Sequence, residues 1–299
     1  MISVGKILEG AFGVFRDHLL AVAIWAGIYL AGNIAILLAM RPMMAEAFSP
    51  GVSTSDPSAM MSAMAPVWLL NFILGIVGIV LYTASMRSVL RPDAGGLAFL
   101  RLGLDELRMI GLVVLFVIGG FILSFGASML FGVFAAGVAV GSGSTAITVI
   151  LGFLIGLVVF GAVLYLTVRF SLAFPLTLHR GAFAIGEAWR VSRGHFWTLF
   201  GSALVVTVIG FVLAMVIGIF SMGSYFADIM SAAGNPDATM LAAERQAAMM
   251  SGLSTMMILQ SIGGALIAAI WIALSGGSAA TAARLLVEDE FDNAEEVFG

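Results

Sequence analysis

Six stretches of twenty or more residues run through this chain without one Asp, Glu, Lys or Arg: 19–40, 67–86, 109–131, 146–168, 198–221 and 256–280. A helix needs about 20 apolar residues to cross the roughly 30 Å core of a bilayer. A span with no ionisable side chain enters that core without the cost of burying a charge. Helices also satisfy their own backbone hydrogen bonds, whereas a membrane barrel would alternate over segments of about ten residues, and these runs do not alternate. The predicted fold class is therefore all-α, a polytopic integral membrane protein with six transmembrane helices. Composition excludes the soluble alternatives. Of 299 residues 61% are hydrophobic and 10% charged, with a mean hydropathy of +1.12. A soluble globule of that size cannot hide so much apolar surface in one core, so a water-soluble enzyme, a nucleic-acid binder and a disordered chain are ruled out.

An even number of spans places both termini on one side. The segments on that side carry Lys6, Arg16, Arg87, Arg91, Arg101, Arg108, Arg169, Arg180, Arg190, Arg193 and Arg284, and the opposite loops carry only Arg41 and Arg245. By the positive-inside rule both termini are expected in the cytoplasm. The run from Leu19 to Met40 is too long for the 7–15-residue core of a cleavable signal and is expected to stay as an anchor. The absence of cysteine excludes disulfides, thiolate metal sites and cysteine nucleophiles.

At an offset of 177 residues, Ala11-Phe12-x-Val14-x-Arg16-x-His18 matches Ala188-Trp189-x-Val191-x-Arg193-x-His195, each just ahead of a span. A weaker third copy lies at Leu97 to Arg108. The economical reading of 1–299 is a single membrane domain of three units. Each unit is a two-span hairpin preceded by a short amphipathic interfacial helix, and an acidic cytoplasmic tail covers 284–299. In segment 3–18, Val4, Ile7, Leu8, Ala11, Phe12 and Phe15 follow helical spacing, with Lys6, Glu9, Gly13 and Arg16 opposite. In the second copy Ile185, Ala188, Trp189 and Phe196 share a face. Such faces are expected to lie in acyl chains at headgroup level, the alternative being short cytoplasmic helices packed on the bundle.

The stretch Gly186-Glu187-Ala188-Trp189-Arg190-Val191-Ser192-Arg193-Gly194-His195-Phe196-Trp197 resembles the signature of bacterial glycerophosphoryl diester phosphodiesterase membrane-domain proteins. Val4-Gly5-x-Ile7-Leu8-x-x-Ala11-Phe12 and Leu100-Arg101-Leu102-Gly103-Leu104-Asp105-Glu106-Leu107-Arg108 are similar to alphaproteobacterial members. The hydrolase activity of that family belongs to a separate soluble domain, which no stretch here supplies. The resemblance therefore implies a multi-span module of the bacterial inner membrane and lends this chain no catalytic residue.

Arg16, His18, Arg108, Arg169, Arg193 and His195 stand beside spans on the basic side, at the expected depth of lipid phosphates, and are the candidate headgroup residues. Residues two apart on a helix point about 200° away from each other, so Arg16 and His18 can grip one phosphate only if the helix breaks there. Gly194 suits such a break as a helix-ending residue, and Asp17 suits it less. Asn33, Asn71 and Gln260 form an intramembrane polar set in the outer third of the bilayer, either a vestibule or ordinary interhelical hydrogen bonding.

Eighteen methionines, among them Met60, Met61 and Met64, are soft enough for Cu(I). No external His or Cys joins them, so no metal site is assigned and no cofactor is expected. Gly27-x-x-x-Ala31 and Gly152-x-x-x-Gly156 suit close helix packing, within the chain or in a homo-oligomer. The loops 41–66 and 222–255, with a short helix expected at 238–250, offer a docking surface for a membrane-protein partner. The loop Gly132 to Thr145 is glycine-rich and uncharged.

The preferred functional reading is a non-enzymatic membrane protein that organises, senses or moves lipid. The rivals are a scaffold or accessory subunit using its external Met/Ala-rich loops, and a transporter or channel for a neutral or amphipathic solute.

Overall fold

Ser3 starts the first helix: its Oγ accepts the Lys6 N–H at 3.3 Å and supplies one of the acceptors a helix N-terminus lacks. The computed structural model describes residues 2–47, 57–94, 96–142, 145–232 and 255–298. The long helices are α1 (Val4–Ala47), α2 (Pro57–Leu90), α3 (Leu104–Ser142) and α4 (Thr145–Phe170). Two short helices follow, α5 (Ala173–Arg180) and α6 (Ile185–Val191), and then two long ones, α7 (Phe196–Ala232) and α8 (Thr255–Phe298). No strand occurs among the described residues. Six helices are long and apolar enough to cross a membrane, and the protein is an all-α, multi-pass membrane protein.

The helices outrun the apolar runs. α3 continues to Ser142 and α4 begins at Thr145, so most of the loop expected at Gly132 to Thr145 is helical. α1 likewise extends to Ala47, α2 starts at Pro57, α7 reaches Ala232, and the acidic tail continues α8 to Phe298. The helix expected at 238–250 lies outside the described residues.

Packing divides the chain, read from sequence as one domain, into two compact units. The first holds residues 1–7, 102–203 and 278–299; the second holds 8–101 and 204–277. In the first, Ile7, Leu112, Leu172, Leu176, Ala188, Leu199 and Leu286 form the core. Gly181 (φ +66°) ends α5, its N–H bonding the Thr177 carbonyl at 3.0 Å, and the left-handed conformation it needs is open to glycine without strain. Arg180 then clamps Glu187 of α6 at 2.7 Å. α3 is capped at Gly103, whose N–H donates to Glu106 Oε2 at 3.0 Å in the returning half of a capping box.

In the second unit Val14, Val22, Trp25, Leu81, Ala269 and Ala273 join α1, α2 and α8. Gly276 and Gly277 of α8 lie against neighbouring backbone. A Cβ on Gly276 would sit 2.6 Å from Ser85 Oγ, and one on Gly277 would sit 3.1 Å from Ala11 Cα. Of the glycine motifs named from sequence, Gly152 meets the Phe131 ring, while Gly27 and Gly156 have nothing within 4 Å of an added Cβ.

One expectation about the amphipathic segments needs correction. The segment Leu97 to Arg108 is not an amphipathic helix ahead of the middle hairpin. It holds a 3-10 turn at Leu97–Phe99, with positive φ at Ala98 and Phe99, and α3 begins only at Leu104. Side chains impose that geometry, since Trp25 Nε1 donates to the Ala98 carbonyl at 3.1 Å and Arg87 Nη1 to the Phe99 carbonyl at 2.6 Å. The apolar faces of the other two segments are partly packed: Ile7, Ala11, Val14 and Ala188 are buried in the cores, whereas Phe12 is 48% exposed.

Candidate membrane-interface site

Two places in the chain turn from a packed segment into a long apolar helix, and the sequence candidates gather around both. At the first, in the second unit, α1 is interrupted at His18 (φ −134°, ψ 36°), the residue ahead of the first apolar run. The break sits at His18 itself, whose ring meets the Phe99 ring edge-on at 4.8 Å. Arg16 is 81% exposed and donates from Nε to Asp17 at 3.0 Å. That bond, with the arginine's charge, holds the Asp17 carboxyl below the ordinary aspartate range, and the Arg16 guanidinium is raised in return. Leu19 and Leu20 follow, both exposed.

The second junction, in the first unit, joins α6 to α7. Gly194 (φ +85°) makes the turn, His195 N–H bonds the Ser192 carbonyl at 3.3 Å, and the His195 carbonyl accepts the first bond of α7 from Leu199. Arg193 is exposed, and Trp197 is 76% exposed on the first turn of α7. An exposed guanidinium beside an exposed apolar or indole side chain is the arrangement favoured where hydrocarbon gives way to headgroups.

The other candidates differ in setting. Arg108 is half-buried and bonded to Asp105 at 3.1 Å, one turn back on α3. Arg169 is 4% exposed at the end of α4, stacked on Trp189 and donating to that residue's carbonyl at 2.8 Å. Nδ1 of His195 is buried and has no hydrogen-bond partner. Arg108, Arg169, Arg193 and His195 thus belong to the first unit, whereas Arg16 and His18 belong to the second.

The intramembrane polar residues, all in the second unit, have separate tasks. Asn33 Nδ2 donates to the Ser261 carbonyl at 3.4 Å and ties α1 to α8, Asn71 Nδ2 bonds the Val67 carbonyl of its own helix at 2.9 Å, and Gln260 is exposed. Among the described residues no group of three His, Cys, Asp or Glu side chains could hold a metal ion.

Sequence reasoning missed the Trp25–Arg87 clamp and the Arg180–Glu187 clamp. Arg87 had entered only as one more basic residue near a helix end, and nothing in its neighbours signals that it turns inward. Comparison of the chain with protein-family models, with curated proteins and with solved structures finds no match.

Proposed function

We propose that this protein is a non-enzymatic, multi-pass protein of a bacterial inner membrane, with both termini cytoplasmic, that engages lipid headgroups in order to organise, sense or move membrane lipid. The observation that carries the reading is the pair of helix breaks. At His18 and at Gly194 the chain places an exposed arginine within four residues of large exposed apolar side chains that open a long apolar helix. Arginine at that depth attracts anionic headgroups by roughly 1 kcal/mol per residue and can hold phosphate through two parallel donors.

Native mass spectrometry of the protein released from anionic membranes tests this. Retained phosphatidylglycerol is expected on the wild type and is expected to fall several-fold in the Arg16→Ala, Arg193→Ala double variant. Equal retention in both overturns the proposal.

A further inference from the structure

Among the described residues, Arg169 is one of two arginines almost wholly withdrawn from solvent. Its guanidinium carbon lies 4.2 Å from the Trp189 ring centroid and 5.9 Å from that of Tyr165. Nη2 donates to the Trp189 carbonyl, while Nε is buried without an acceptor. Among the described residues no carboxylate pairs with it. Aromatic faces and one carbonyl reduce the cost of burying a cation but leave its charge uncancelled. The Phe196 ring packs on Tyr165 at 5.3 Å and extends the aromatic wall of the cluster.

We infer that the Arg169, Trp189 and Tyr165 cluster is a binding site for a single phosphate-ester or phosphate anion. This deepens the headgroup reading above and rests on it for the depth of the α6–α7 junction. Guanidinium recognises phosphate through a fork of two parallel N–H donors, and Arg169 has its Nε donor unused. Stacking on Trp189 fixes the plane of that fork. The phosphate oxygens would take the free donor and cancel the buried charge. Tyr165, 43% exposed, is the wall that moves to admit them. Arg16 and Arg193 then supply general attraction, and Arg169 supplies selection.

Thermal unfolding of the full chain in detergent, with phosphatidylcholine, phosphatidylglycerol or inorganic phosphate added, tests the site. Phosphatidylglycerol is expected to raise the midpoint by roughly 5 °C at about a hundred times its Kd, and phosphatidylcholine is expected to leave it unchanged. An equal rise with inorganic phosphate identifies the free anion as sufficient; a rise with the lipid alone identifies the headgroup. Arg169→Gln is expected to abolish the rise, and so is the milder Arg169→Lys, which keeps the charge without the fork. Arg16→Ala with Arg193→Ala is expected to lower total retained lipid while leaving the rise in place, which separates the two proposals. A rise that survives both Arg169 substitutions, or no rise in the wild type with either anion, overturns the inference.

Discussion

Asp17 controls how freely Arg16 can act. Its carboxyl is held below the ordinary aspartate range by the bond from Arg16, so whatever the pair contributes is complete above the unfolded pKa of about 3.9 and is lost only as pH falls through the lower folded value. Exposed on both sides, the pair matters little to stability, but it partly neutralises the Arg16 guanidinium at that helix break. Asp17→Asn is therefore expected to raise retained anionic lipid about 2-fold at neutral pH. Native mass spectrometry reads the retained lipid, and a variant that retains no more than the wild type counts against a role for Arg16. At Trp25 a different residue-scale effect operates. Its indole N–H answers the carbonyl of Ala98, which sits at φ +54°. Trp25→Phe removes that donor and is expected to cost about 1–2 kcal/mol, measured as a lower unfolding midpoint with the fold retained by circular dichroism.

Between helices, small residues decide how near two backbones come, and location outweighs motif. Gly277 of α8 faces the Ala11 backbone, which cannot step aside as a side-chain tip can. Gly277→Val is expected to destabilise by about 1–3 kcal/mol. Gly27→Ala, with nothing within 4 Å of the new methyl, is expected to be neutral or to stabilise α1 by up to about 1 kcal/mol. The comparison of the two unfolding midpoints checks this contrast, and similar losses in both would show that Gly27 has a neighbour outside the described residues. A Gly-x-x-x-small spacing marks a face that can pack closely; which faces do so depends on helix rotation, and sequence spacing leaves rotation free.

On the scale of the molecule, the distribution of arginine sets an expected orientation. Single cysteines introduced at Ser3, Arg101 and Arg193 are expected to react with an impermeant thiol reagent from the cytoplasmic side only, and one at Met61 from the opposite side only. The chain has no native cysteine to confuse the reading. The reverse pattern would invert the topology and remove Arg16 and Arg193 from the cytoplasmic leaflet. Membrane chemistry made the six spans readable in advance, because hydrocarbon thickness tests each run of residues by itself, whatever its neighbours. The boundary between segment 3–18 and the first span was legible as well, in the change from an amphipathic to a wholly apolar pattern, but the break at His18 was not, because no glycine marks it. Arg87 and Arg169 were not: a basic residue at a helix end reads as solvated, and both are buried.

What the sequence determined alone is therefore what depends on one segment at a time: the apolar helices, their number, and the bias of positive charge along the chain. The tertiary structure decided the rest. An apolar stripe offers the same side chains to lipid and to protein, and only the arrival of a complementary helix, as at Ile7, Ala11 and Ala188, determined which of the two would cover it. The guanidinium of Arg169 likewise carries the same charge exposed or enclosed. Trp189, twenty residues along the chain, enclosed it, since a planar cation leaving water is stabilised where an aromatic face and a carbonyl acceptor meet.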